Sequence, residues 1–200
     1  MRSLVDAVVI GGSAGAIDAL DTLLPALPAS LGAAVIVVIH LPAGRPSLLA
    51  SIYTGRAGLP VGEAEDKASV APGVVHFAPP GYHLLVEPDR SFALSIDEPV
   101  HFSRPSIDVL FESAAWAYGP RLLGVLLSGA SADGADGLAA IARAGGLCWV
   151  QAPETAASPF MPTAALRRTP AARVLAPNEM AEALRERSAL FQVREHPHGR

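Results

Sequence analysis

Three residue types that can together perform nucleophilic chemistry follow three separate apolar runs of this chain. Ser13 follows the run AVVIGG, His40 ends the run AAVIVVIH, and Asp133 comes shortly after GVLLSG. A serine hydroxyl becomes an effective nucleophile when a base takes its proton, and an imidazole base works best when an acid fixes its tautomer and steadies its charge. The three residues are therefore candidates for a hydrolytic site.

The string Gly11-Gly12-Ser13-Ala14-Gly15 has three interpretations. It can be a tight turn in which small residues let a helix pack closely on a strand. It can be a dinucleotide-binding loop, but Ser13 occupies the place of the second glycine, and His40 stands where that fingerprint wants an acid. It also matches G-x-S-x-G, in which a sharp turn between a strand and a helix exposes a nucleophilic serine. The string alone does not decide between the turn and the nucleophile.

His40 and Asp133 also have plain structural interpretations. A histidine at a strand end is commonly a hydrogen-bonding or capping residue, and Asp133 precedes a helical pattern in which an acid favours the helix N-terminus. Asp136 is a rival acid, and His76 and His83 are rival bases. The occurrence of serine, histidine and aspartate at the ends of successive strands favours a common site, because ligands of open α/β sheets bind beyond the carboxyl ends of the strands.

The elements that must position these residues alternate in type along the chain. Short runs rich in β-branched residues alternate with helical patterns, and several runs are apolar on both faces, as in a parallel sheet that is covered on both sides. We therefore predict an α/β fold with a single doubly wound, mostly parallel sheet, helices on both faces, and an antiparallel hairpin region near 74–97. The predicted domain spans 1–191, and 192–200 is predicted to be a disordered tail.

Composition excludes several functional classes. The formal net charge of the 200 residues is −4, and 14 of the 15 basic residues are scattered arginines, so we expect no nucleic-acid partner. No apolar stretch reaches the length of a membrane span and the N-terminus is a poor signal peptide, so we expect a cytoplasmic protein without membrane insertion. Cys148 is the single cysteine, and no histidine has a carboxylate at ligand spacing. We therefore expect neither a metal nor a cofactor.

Six segments, in the same order, make the chain similar to a known family. It resembles the catalytic domain of the chemotaxis protein-glutamate methylesterases, the CheB type, from about residue 5 to 190. The order serine, histidine, aspartate also differs from the order in α/β-hydrolases. The segments that carry the resemblance are IGGSAGAIDAL, VVIHLP, VVHFAPPGYHLLV, RPSIDVLFESAA, GVLLSGASADGADGL and FMPTAAL.

The resemblance implies a role for each candidate residue. Ser13 is the implied nucleophile, His40 the general base and acid, and Asp133 the residue that orients His40. The backbone N–H groups of Ala14 and Ala130 are the implied oxyanion donors. The implied reaction is hydrolysis of glutamate methyl esters on the cytoplasmic helices of methyl-accepting chemotaxis receptors, with release of methanol. Deamidation of glutamines on the same receptors is also implied for the family.

Departures from the family pattern leave two alternatives open. The family commonly has a threonine after the nucleophilic serine, where this chain has Ala14, and a glycine where it has Phe160. Family members commonly carry a receiver domain in front, whereas this chain starts close to its first strand, so a separate response-regulator or receiver protein is a further candidate partner. The alternatives are an esterase or amidase for a different protein or small molecule, and a catalytically degenerate module that binds receptors.

Overall fold

A seven-stranded parallel sheet forms the centre of the protein. The computed structural model describes residues 5–41 and 47–186. The spatial order of the strands is β3-β4-β2-β1-β7-β8-β9, and a separate antiparallel pair is formed by β5 and β6. The strands are β1 (Ala7–Gly12), β2 (Ala34–Ile39), β3 (Val61–Glu63), β4 (Val75–Phe77), β5 (His83–Val86), β6 (Phe92–Ser95), β7 (Leu122–Leu126), β8 (Leu147–Gln151) and β9 (Arg173–Leu175).

Six α-helices lie within the described residues, and they cover both faces of the sheet. They are α1 (Ala16–Leu23), α2 (Leu49–Tyr53), α3 (Ile107–Tyr118), α4 (Ala135–Arg143), α5 (Phe160–Arg168) and α6 (Pro177–Glu186). The first, second and sixth pack on one face, and the other three pack on the opposite face. The predicted fold class is thus confirmed.

Alternate residues of each central strand belong to different hydrophobic clusters. Val8 and Ile10 of β1 pack with Leu20 of α1, whereas Val9 packs with Leu110 of α3. Every residue of β1 and β2 is buried, which explains why both runs are apolar without alternation. Full burial of one such aliphatic side chain contributes about 1.5–3 kcal/mol. The strands therefore form a rigid base for the loops at their carboxyl ends.

The antiparallel region is shorter than the predicted interval near 74–97. β4, at the start of that interval, runs parallel to β2, with Val75 opposite Val35. Among the strands of the described residues, only β5 and β6 pair antiparallel, with His83 opposite Ser95, and an isolated antiparallel bridge joins Ser69 to Ser91. The difference arises because Val75, His76 and Phe77 are all buried and extend the main sheet.

The strand order reverses at β1. The chain passes from β1 to β2 on one side of it and reaches β7 on the other side. Strands β1, β2 and β7 precede the three candidate residues, so their carboxyl ends open at the switch point where such sheets bind ligands. No helix within the described residues has the length and hydropathy needed to cross a bilayer. The predicted tail, 192–200, lies outside the described residues.

Candidate active site

Ser13 lies in the turn that joins β1 to α1. Its backbone N–H donates to the Ser128 carbonyl at 2.9 Å, and its own carbonyl accepts from Ala16 N at 3.0 Å. Gly15 has φ +76°, a left-handed conformation that β-carbon-bearing residues rarely adopt. The glycine at position 15 thus permits the sharp turn, and the turn leaves Ser13 half-buried beside the N-terminus of α1.

His40 and Asp133, which come from neighbouring parts of the sheet edge, are in direct contact. The His40 ring donates from Nε2 to Oδ2 of Asp133 at 2.7 Å. The His40 side chain is 12% exposed and that of Asp133 is completely buried. The backbone N–H of His40 also donates to the Gly12 carbonyl at 3.0 Å, which holds the histidine next to the turn that contains Ser13. The pair has the geometry of an acid that orients an imidazole.

The N-terminus of α3 surrounds the Asp133 carboxylate with donors. Oδ1 accepts from the Ser106 hydroxyl at 2.8 Å and from Asp108 N at 3.0 Å, while Oδ2 accepts from Ile107 N at 2.7 Å. Burial alone would raise the pKa of Asp133, but the hydrogen bonds from His40 and from the start of α3 outweigh it and lower the pKa below its ordinary value. Asp133 is therefore a stable carboxylate despite its burial.

The other ring nitrogen of His40 faces a serine that the sequence did not single out. Within residues 5–41 and 47–186, the His40 ring makes no hydrogen bond with Ser13; its Nδ1 lies 3.3 Å from the Ser103 hydroxyl. Since Nε2 donates to Asp133, Nδ1 accepts from Ser103. Hydrogen bonds of catalytic residues are often incomplete before a substrate binds. No motif marks Ser103, because a serine in a polar loop is unremarkable in sequence.

Two backbone N–H groups beside Ser13 are unused in the described part of the chain. Neither Ala14 N nor Ala130 N donates a hydrogen bond there, and both residues are exposed. The loop that carries Ala130 packs against the turn that holds Ser13, because a β-carbon built on Gly129 would lie 3.0 Å from the Ser13 β-carbon. Free donors placed around a serine can hold the negative oxygen of a tetrahedral intermediate.

The rival residues have other partners. His83 accepts from Ser106 N through Nδ1 at 3.1 Å and donates from Nε2 to the Glu98 carbonyl at 3.1 Å. His76 is buried and bonds the Ala71 carbonyl at 3.3 Å, and its burial lowers its pKa. Asp136 pairs with Arg168 at 3.1 Å. Both ring nitrogens of His83 are thus engaged, and it supports the serine that binds Asp133.

Ser128 is a buried residue of the site that the sequence analysis did not identify. Its hydroxyl donates to the Ala14 carbonyl at 2.7 Å and accepts from Ser158 N at 2.9 Å. Its backbone N–H donates to the Gln151 side chain at 2.9 Å. One hydroxyl thus joins the turn that holds Ser13, the end of β7 and the loop before α5. The apolar run GVLLSG contains it, but only the fold shows what it touches.

One group of potential metal ligands occurs among the described residues. The ligand atoms of His101, Asp108 and Asp136 lie within 4.8 Å of one another. Asp108 already accepts two backbone N–H groups and Asp136 is paired with Arg168. Both carboxylates of the group thus already have partners within the protein.

Known proteins resemble the chain over most of its length. Residues 8–184 match the family described as CheB methylesterase. A Leptospira interrogans protein is 45% identical over 177 residues, which are 88% of this chain and 92% of the relative. The protein-glutamate methylesterase/protein-glutamine glutaminase of Symbiobacterium thermophilum is 38% identical over 177 residues, or 88% of this chain and 49% of its own length. The chain thus spans about half of that relative.

A solved structure has the same fold. The crystal structure of the Thermotoga maritima CheB methylesterase catalytic domain superposes with a TM-score of 0.85 at 32% sequence identity. The alignment covers 91% of this chain and 98% of that domain. The similarity therefore extends over most of this chain and nearly all of that domain.

Proposed function

Since this chain belongs to the CheB methylesterase family, we propose that it hydrolyses glutamate methyl esters on the cytoplasmic helices of chemoreceptors. Ser13, His40 and Asp133 are its catalytic residues. The observation that supports this most directly is the 2.7 Å hydrogen bond between His40 and the buried Asp133, beside the turn that holds Ser13. The reaction belongs in the cytoplasm, where the proposed receptor helices lie.

The first half of the reaction forms an acyl-enzyme. The Ser13 oxygen attacks the ester carbonyl carbon while its proton passes to His40. Because Nε2 of His40 is committed to Asp133, Nδ1 is the atom that accepts this proton. His40 then protonates the methoxy oxygen, the carbon–oxygen bond breaks, and methanol leaves. Asp133 stays ionised and stabilises the charged imidazole between the two transfers.

The second half restores the enzyme. A water molecule gives a proton to His40 and attacks the acyl carbon, after which the Ser13 oxygen takes the proton back and the glutamate acid is released. Backbone N–H groups of Ala14 and Ala130 donate to the negative oxygen in both halves. A backbone donor does not depend on the side chain, so alanine at these positions is compatible with the role. Glutamine deamidation would follow the same course with ammonia as the leaving group.

Methanol release from methylated receptor tests the proposal. Ser13→Ala should reduce kcat at least about 1,000-fold, because removal of a catalytic nucleophile abolishes the covalent route. Ser51→Ala is the matched control, since Ser51 is an exposed serine of α2; its activity should equal that of the wild type. Full activity in Ser13→Ala, with native thermal unfolding, would refute the proposed nucleophile.

A different ester or amide substrate is the second candidate. Phe160 at the start of α5 is 59% exposed, and Ala14 replaces the threonine common in the family. Both changes alter the surface that a substrate meets and leave the His40–Asp133 pair unchanged. A panel of p-nitrophenyl esters compared with methylated receptor separates the candidates. A much higher kcat/KM for a small ester would favour the second.

A binding module without catalysis is the third candidate. It is motivated by the missing hydrogen bond between Ser13 and His40, and by Ser103, which takes that place in the described structure. A fluorophosphonate probe reacts only with an activated serine. Covalent labelling that disappears in Ser13→Ala would reject this candidate. A separate receiver protein, if it regulates the site, should change the labelling rate when it is phosphorylated.

A further inference from the structure

Two buried aspartates accept hydrogen bonds from the N-terminus of each other's helix. Asp133 binds the start of α3, which contains Asp108, and Asp108 binds the start of α4, which follows Asp133. Asp133 immediately precedes the first residues of α4 and accepts Ile107 N and Asp108 N at the start of α3. Asp108 lies in the first turn of α3, and its Oδ1 accepts Gly134 N at 2.9 Å and Gly137 N at 2.7 Å at the start of α4. The two carboxylates therefore lock the two helix N-termini together.

We propose that Asp108 is a positioning residue for catalysis, which holds the Asp133 carboxylate against His40 through the backbone of residue 134. Gly134 N belongs to the peptide group that directly follows Asp133, so a bond to this N–H fixes the orientation of the Asp133 backbone. The proposal rests on the proposed function, because it assigns Asp108 to the triad that this function uses. Asp108 itself does not touch the reacting atoms.

The cost of Asp108 to the folded protein supports a functional role. Burial, with Asp133 close by, raises the pKa of Asp108 to about 6, although the bond from Gly137 opposes the rise. The Asp108 carboxyl therefore ionises less readily in the folded protein than an exposed carboxyl does. The other titratable or charged groups that face it are Asp133, His101 at 3.4 Å, and Asp136 with its partner Arg168. Residues that lower the free energy of unfolding, although their hydrogen bonds are formed, occur at functional sites.

Three substitutions separate positioning from other effects. Asp108→Asn keeps an oxygen that can accept both N–H groups, so kcat should stay within about fivefold of the wild type, as expected when hydrogen-bond geometry is retained. Asp108→Ala removes the acceptor, and kcat should fall about 100-fold with little change in KM, because small displacements of catalytic groups have effects of this size. Asp108→Glu keeps the charge but moves the acceptor, so it should also lower kcat. It replaces Asp108→Ala as the test if that variant does not fold.

Asp136→Ala is the matched control. Asp136 lies in the first turn of α4, as Asp108 does in α3, but its side chain is 49% exposed and bonds only Arg168 among the described residues. Its kcat should remain near that of the wild type. If Asp108→Ala and Asp136→Ala lower kcat by a similar factor, the effect is a general one of acids in the first turn of a helix, and the proposal is overturned.

The His40 ring proton provides a readout that does not depend on the ester assay. The Nε2 proton shared with Asp133 should give a low-field NMR signal in the wild type, Asp108→Asn and Asp136→Ala. In Asp108→Ala or Asp108→Glu the signal should shift or broaden. A signal and a kcat that are both unchanged in these two variants would overturn the positioning role.

Failure of the proposed function gives a different result. In that case the wild type releases no methanol, or Ser13→Ala releases it as fast as the wild type. The NMR comparison of Asp108→Ala with Asp136→Ala then decides alone whether Asp108 holds Asp133, and an identical signal in the two would refute it.

Discussion

The Ser103 hydroxyl lies 3.3 Å from Nδ1 of His40, the nitrogen that remains when Nε2 binds Asp133. In the proposed mechanism, Ser103 therefore occupies the place that the Ser13 hydroxyl must take. The loop that carries it contains two residues with positive φ, His101 at 48° and Phe102 at 61°. Such strained residues are found where function demands a particular backbone path.

Replacement of Ser103 distinguishes the two serines. We expect Ser103→Ala to retain kcat within about threefold, because a 3.3 Å hydrogen bond at a partly open site contributes little. Ser13 should be the residue that carries a fluorophosphonate label in both the wild type and this variant, as shown by peptide mapping. A label on Ser103, or loss of activity in Ser103→Ala with full activity in Ser13→Ala, would reverse the assignment.

The close packing around Gly129 leaves little room for a side chain at this position. A β-carbon there would lie 2.5 Å from Met161 Cε and 3.0 Å from the Ser13 β-carbon. Gly129→Ala should therefore displace the turn that holds Ser13 or the loop of Ala130, and under the proposed function lower kcat about 100-fold. Gly62→Ala is the control, because a β-carbon on Gly62 meets no atom within 4 Å. Equal kcat values for the two variants would contradict this account.

Ser128→Ala should lower both stability and activity. Without the hydroxyl, the carbonyl of Ala14 and the N–H of Ser158 lose a hydrogen-bond partner at a partly buried place, which costs about 1 kcal/mol. Urea unfolding measures this loss. Activity should fall about tenfold, since the turn before α1 loses one of its supports. Ser51→Ala, on the exposed side of α2, should change neither quantity.

The pH dependence of stability should reveal the titration of Asp108. Its pKa is about 6 in the folded protein and has an ordinary value of 3.8. Between pH about 4 and about 6 the folded state keeps a proton that the unfolded state has released, so this group reduces the free energy of unfolding as the pH rises through that window. Asp108→Asn does not titrate and should gain stability relative to the wild type from pH about 4 to 7. A constant difference in urea unfolding would contradict the assignment.

The residues differ in how well the sequence anticipated them. Ser13, His40 and Asp133 were predicted to share a site because each follows an apolar strand, and parallel strands end at one edge. The structure places His40 against Asp133 and beside the turn that holds Ser13. Ser106 is the N-cap of α3, and its hydroxyl accepts from Val109 N at 3.4 Å. Its bond to Asp133 spans 27 positions and could not be read from local patterns.

Asp108, Ser103 and Ser128 illustrate the same limit. Asp108 resembles an ordinary first-turn acid of a helix, and only the approach of α4 shows that it binds another helix N-terminus. The predicted antiparallel region was too long for a related reason. Short strands separated by Pro-Gly turns have the same sequence pattern whether they pair with each other or with a distant strand. Local propensity does not encode such partners.

His40 and Asp133 stand 93 positions apart, and the hydrogen bond between them forms only when β2 and β7 flank β1. Under the proposed function, ester cleavage is therefore a reporter of refolding. After dilution from denaturant, catalysis should return only in molecules in which β2 and β7 have both paired with β1. The helical signal in circular dichroism can recover earlier. A stopped-flow lag between the two signals would measure the slowest long-range step of assembly.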